Sequence, residues 1–120
     1  MKTLKIGIAS REQMKARTLA IARGELKPGP DDPKVWFSSI ESLAQVLSRP
    51  NMLLLELIQK VKPCSLGELA KISNREVSNL SRTLKTMEHY GLVELHKAEN
   101  NRVIPTVPYN RYQVEYGLAA

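Results

Sequence analysis

Cysteine, aromatic rings and long apolar runs are all scarce in this chain of 120 residues, and each scarcity removes a class of protein. One cysteine, Cys64, excludes an internal disulfide and suits a reducing cytosol. Together with only two histidines, His89 and His96, it leaves none of the close-spaced Cys/His pairs that structural zinc needs. No metal and no other cofactor is expected. One phenylalanine, one tryptophan and four tyrosines are too few for an aromatic ligand cage. The longest strongly apolar stretches, such as 52–55, fall far short of a bilayer span. The basic start MKTLK is followed only by residues 6–9 before Arg11, which is no secretory core, so a cytoplasmic protein without membrane contact is expected. The six glycines are scattered, and no phosphate-binding glycine loop is present. Neither histidine has an obvious paired carboxylate and Cys64 has no neighbouring histidine, so no catalytic residue is assigned and the chain reads as a non-enzyme.

What is abundant is positive charge. Lysine and arginine total 18 against 12 acidic residues, a net +6. The isoelectric point is near 9.6. The excess is spread, ten basic against six acidic side chains in 1–60 and eight against six in 61–120, so its direction on the folded surface matters more than its sum. A polyanion, nucleic acid first, is the indicated partner.

Residues 4–8 alternate as a short strand, and Ser10 with Gln13 has capping-box spacing for a helix over 11–23 that Gly24 stops. That helix carries only a weak stripe of Met14, Thr18, Ile21 and Ala22. Residues 27–34, KPGPDDPK, form an extended linker, followed by the apolar patch Val35, Trp36 and Phe37. Ser38 or Ser39 caps a helix with Ile40, Leu43, Ala44 and Leu47 on one face, and Pro50 ends it and opens the next, over 51–61. Ser65 with Glu68 repeats the capping box for a short helix over 66–72. Ser73 and Asn74 break it, a longer helix runs over 75–89, and Gly91 stops that one. Residues 92–96 and 102–107 then form a β-hairpin around the polar turn 98–101, the second strand held to an edge by Pro105 and Pro108. Residues 109–116 read equally as an extended or a short helical piece. The order is that of a winged helix-turn-helix, mainly α with a small β-hairpin. Three segments are expected: an arm over 1–37, the winged helix over 38–108, and a tail over 109–120.

At 100° per residue, Val77, Leu80, Leu84 and Met87 fall in one apolar arc of the 75–89 helix. Arg75, Ser78, Asn79, Arg82, Lys85, Thr86 and His89 lie opposite, with Glu76 and Glu88 towards the flanks. These are the residue types that reach phosphates and base edges. Arg75 stands where the helix dipole disfavours a cation, which points to a phosphate, whereas His89 suits the helix C-terminus. Arg102, just past the hairpin turn, is placed for the minor groove; for Lys97 a groove contact and a solvated surface position stand even.

Over 52–107 the stretches LLLELIQ and SLGELAKISNREVSNLSRTLKTMEHYGLVEL resemble winged-helix regulators of the MarR and ArsR type. The resemblance implies that SLGELA supports, that SNLSRTLKTME enters the major groove of double-stranded DNA, and that GLV leads into the wing. Carried over, the contacts are Arg75, Ser78, Asn79, Arg82 and Thr86, with Arg102 in the wing; periodicity adds Lys85. The long C-terminal helices of MarR proteins are lacking, so no phenolic effector site is expected. The KPGP linker, VWFSSIESL and TVPYNRYQV also resemble small predicted regulators encoded beside toxin-like proteins and taken to be antitoxins. The function read here is sequence-specific transcriptional regulation by a homodimer. The dimer would draw on the arm and on Tyr109, Tyr112 and Tyr116, whose spacing is helical, unless the arm folds back over a monomer. The rival is a docking winged helix, an antitoxin that binds a cognate toxin protein with DNA binding secondary or absent.

Overall fold

The structure is a computed structural model describing residues 2–118. Residue 1 of the expected arm and residues 119–120 of the expected tail lie outside the described residues. Two compact units are present, residues 2–45 with 110–118, and residues 46–109.

The first unit is built on a parallel sheet. β1 (Thr3–Ile8) leads through α1 (Arg11–Ala22) to β2 (Val35–Phe37), and the end of the chain returns as β5 (Arg111–Tyr116). β1 is central, with order β2-β1-β5 and both pairings parallel. Residues 109–116, open between strand and helix in the sequence, thus resolve as strand from Arg111, and the helical spacing of the tyrosines is not used. Ser10 and Gln13 form the complete capping box at the start of α1. No α1 residue is fully buried, in keeping with its weak stripe. Gly7 lies opposite Trp36 in the register, where a Cβ would come 2.4 Å from the indole ring. The glycine lets the indole lie flat on the strand, and the Arg17 guanidinium stacks 5.2 Å from the indole centroid. Arg17 also pairs with Asp32 at 3.1 Å, and Asp32 accepts from the Gly29 N–H at 2.7 Å, which closes the proline-rich linker on itself. Ser39, not Ser38, caps α2 (Ile40–Val46), accepting from the Ser42 N–H at 3.1 Å.

The second unit holds α3 (Arg49–Val61), α4 (Leu66–Ser73), α5 (Val77–His89) and the antiparallel pair β3 (Glu94–Lys97) and β4 (Val103–Thr106). Pro50 sits in the first turn of α3, which ends at Lys62 in the left-handed region. Leu54, Leu55 and Ile58 from α3, Leu69 and Ala70 from α4, and Leu80, Leu84 and Met87 from α5 make the core. Gly91, at φ 77°, turns the chain out of α5, and the next two residues, Leu92 and Val93, are buried as the root of the hairpin. Gln59 donates to the Tyr109 carbonyl at 2.7 Å, tying the segment after β4 back to α3. Three helices, the last two joined by a tight turn, followed by a two-stranded hairpin, are the winged helix-turn-helix, and the chain as a whole is mainly α.

Candidate nucleic-acid interface

The interface candidates sit on α5, on the turn before it and on the hairpin tip. Asn74 ends α4 in the left-handed conformation, φ 58°, and Glu76 takes the extended N-cap position of α5 without a side-chain cap. This corrects the expected 75–89 helix, which begins at Val77. Ser73, expected in the break, extends α4; Asn74 stays in the break, and Arg75 and the extended Glu76 join it at the expense of α5. Arg75 therefore stands in the turn, not on the helix. Its Nη2 donates to the Pro50 carbonyl at 3.0 Å, clasping the turn to the start of α3.

On α5, Leu80, Leu84 and Met87 are completely buried. Ser78, Asn79, Arg82, Lys85 and Thr86 are exposed, as expected for the opposite face. Thr86 Oγ1 donates back to the Arg82 carbonyl at 3.2 Å, so its hydroxyl is left as an acceptor. Among the described residues the ion pairs are Lys5–Asp31 and Arg17–Asp32, and the His96 ring lies 3.3 Å from the Glu94 carboxylate, a neighbour the sequence pattern did not show. Arg82, Lys85 and Arg102 belong to none of them, so their charges face solvent uncompensated. Val77, expected in the apolar arc, is 51% exposed. Helical side chains lean towards the N-terminus, and at the first position no preceding turn lies there to cover it.

At the hairpin tip, Asn100 and Asn101 both take positive φ, 61° and 57°, doing the work of turn glycines. The Ala98 N–H donates to the Arg102 carbonyl at 2.7 Å, closing the turn, and Arg102 projects from it exposed. Lys97, at the end of β3, is exposed as well.

The second expected capping box is half formed. Ser65 accepts from the Glu68 N–H at 3.0 Å, while the Glu68 carboxylate accepts from the Cys64 thiol at 2.6 Å. That hydrogen bond, with desolvation, raises the Cys64 pKa against the opposing pull of Arg102, so the sulfur is held as a poorly nucleophilic thiol. His96 contacts Thr106 Oγ1 at 3.0 Å, and His89 meets the Tyr90 ring edge-on at 5.1 Å. No group of three or more His, Cys, Asp or Glu able to hold a metal occurs among the described residues. No helix among them is long and apolar enough to cross a membrane.

Residues 46–114, more than half of the chain, match the family model described as HVO_A0114. The chain belongs to the HVO_A0114 family. The family segment takes in the helices of the second unit, the hairpin and the first four residues of β5. No curated protein matches the chain. Among solved structures, the chain is similar to a predicted DNA-binding transcriptional regulator from E. coli, at 21% identity and a TM-score of 0.48, covering 78% of this chain and 83% of that one. In this HVO_A0114 member Ser78, Asn79, Arg82, Lys85 and Thr86 remain together on α5, while Arg75 lies in the turn before it and Arg102 at the hairpin tip.

Proposed function

We propose that this protein is a sequence-specific double-stranded DNA-binding transcriptional regulator that works as a homodimer, with α5 in the major groove and the β3–β4 wing at the minor groove. The observation that carries the reading is the outer face of α5. Ser78, Asn79, Arg82, Lys85 and Thr86 are exposed on a helix whose opposite side is locked into the core by Leu80, Leu84 and Met87. A rigid helix presenting unpaired cations and short hydrogen-bonding groups suits phosphates and base edges together. Arg82 reads a base, Lys85 a phosphate, and Arg102 the wing-side backbone. Arg75 keeps one nitrogen on Pro50 and offers its remaining N–H groups to a phosphate at the start of α5.

Selection of bound duplexes from a random pool tests the reading. A defined enriched site, with affinity falling steeply as salt rises, is the expected result. No enrichment at low salt refutes it.

A second reading, an antitoxin-like docking module, is favoured by a different observation. Leu53 and Ile72, 51% and 43% exposed, line a mostly apolar cleft with Pro50, Leu54 and Leu57, which Ser73 and Arg75 also border. An apolar cleft suits a protein partner better than a phosphate backbone. In that reading the partner is a toxin-like protein, and binding is indifferent to salt.

A further inference from the structure

β5 is an edge strand whose outer side pairs with nothing among the described residues, since β1 occupies the other side. The opposite edge of the same sheet, β2, is three residues long and follows a linker with prolines at 28, 30 and 33, which blunts it. β5 has six residues, RYQVEY, with no proline and no lysine, the usual guards of a free edge. Its alternation is two-sided. Arg111, Gln113 and Glu115 point to one face; Tyr112, Val114 and Tyr116 point to the other. Val114 is 43% and Tyr116 62% exposed, and Leu118 beyond them continues the same phase fully exposed. An edge of this length, whose two charges are of opposite sign and which is flanked by uncovered apolar side chains, invites another strand.

The sequence of β5 says which strand. In an antiparallel pair, residues directly opposite share a face, so a second copy pairs in phase only when odd positions oppose odd ones. With the two-fold axis at Gln113, each Arg111 stands opposite the partner's Glu115, and each Tyr112 opposite the partner's Val114. Both faces are then matched at once: two opposite-charge pairs on one, and aromatic against β-branched side chains on the other. Moving the axis to Val114 instead sets each Glu115 opposite a glutamine and each Arg111 opposite Gly117. Within the chain, among the described residues, neither Arg111 nor Glu115 takes part in an ion pair.

We propose that two copies of this chain join through the free edges of β5, antiparallel about a two-fold axis at Gln113, into one continuous six-stranded sheet. This gives the homodimer of the preceding section a specific surface, and it stands without reference to DNA. Closed two-fold symmetry uses the same patch on both copies and leaves only the short β2 strands as edges.

Sedimentation equilibrium on the full chain tests it. The wild type is expected at twice the 13.5 kDa chain mass at micromolar concentration. Arg111→Glu and Glu115→Arg each replace both attractive pairs by like-charge pairs and are expected to weaken the dimer by roughly tenfold or more. The double exchange, Arg111→Glu with Glu115→Arg, restores it, which a merely damaged fold would not do. Independently, Gln113→Cys in a Cys64→Ser background should oxidise to a disulfide-linked dimer, because the axis sets this position opposite itself at bridging distance. A monomeric wild type, single exchanges without effect, a double exchange that stays weak, or no crosslink at position 113 would each overturn the proposal. Duplex selection reports on the DNA reading separately: an enriched site with a monomeric protein overturns the interface and the homodimer but not DNA binding, and a β5-linked dimer with no enriched site overturns the DNA reading alone.

Discussion

Arg82 points almost directly away from the three completely buried residues of α5, Leu80, Leu84 and Met87, and so reaches farthest into whatever the helix faces. If it reads a base, Arg82→Ala is expected to lower specific affinity by about 1–3 kcal/mol and to relax one position of the site. Lys85→Ala should instead weaken all sequences alike and reduce the salt slope by about one ion. Binding curves on the selected site and on a scrambled duplex, taken over a range of salt, separate the two. Curves identical to wild type for both variants would contradict the docking geometry. Val77 marks the limit of residue-scale reading. Periodicity placed it with Leu84, yet one is half exposed and the other sealed. Leu84→Ala should therefore cost about 2–5 kcal/mol in urea unfolding, and Val77→Ala no more than about 0.5 kcal/mol.

Elements were legible where a local hydrogen bond decides them. Ser10, Ser39, Ser65 and Gly91 mark helix ends through groups a few residues away, and the structure uses each one; Pro50, expected to end α2 and open α3, sits in the first turn of α3, but α2 has already ended at Val46. The start of α5 was misplaced because arginine and glutamate carry no such signal; the left-handed Asn74 and the Arg75 clasp to Pro50 shape that turn. The linker between α1 and β2 is likewise held by side chains, Asp31 through Lys5 and Asp32 through Arg17 and Gly29. The Gly29 N–H and the Arg17 guanidinium lower the Asp32 pKa below its ordinary value of 3.8. A carboxylate depressed in this way stabilises the fold fully above its unfolded pKa, and the contribution is lost as pH falls through the lower folded value. Asp32→Asn should accordingly flatten the acid limb of the stability profile and leave its neutral shape unchanged, as thermal midpoints measured from pH 6 down to about 2 would show. An acid limb unchanged from wild type would mean the carboxylate does not hold the linker.

At the scale of the molecule, one winged helix offers few base contacts, and a two-fold pair doubles them. Selected duplexes are expected to contain an inverted repeat with half-sites about 34 Å apart, one helical turn. A duplex carrying one half-site should bind markedly more weakly than the full repeat in the same titration, and equal affinity for the two would count against a dimeric regulator.

The sequence alone determined the helices, the hairpin, the polar face of α5 and so the winged helix itself. All of these rest on interactions within a turn or on a period of 3.6 or 2 residues, which neighbours in the chain express directly. Only the tertiary structure decided that the last strand returns to lie beside the first. Parallel pairing joins residues more than a hundred positions apart, Thr3 with Arg111 and Ile8 with Tyr116, and no local pattern in either strand names the other. It also decided where α5 begins and that Arg75 is clasped to Pro50, because both depend on which surface a distant segment covers.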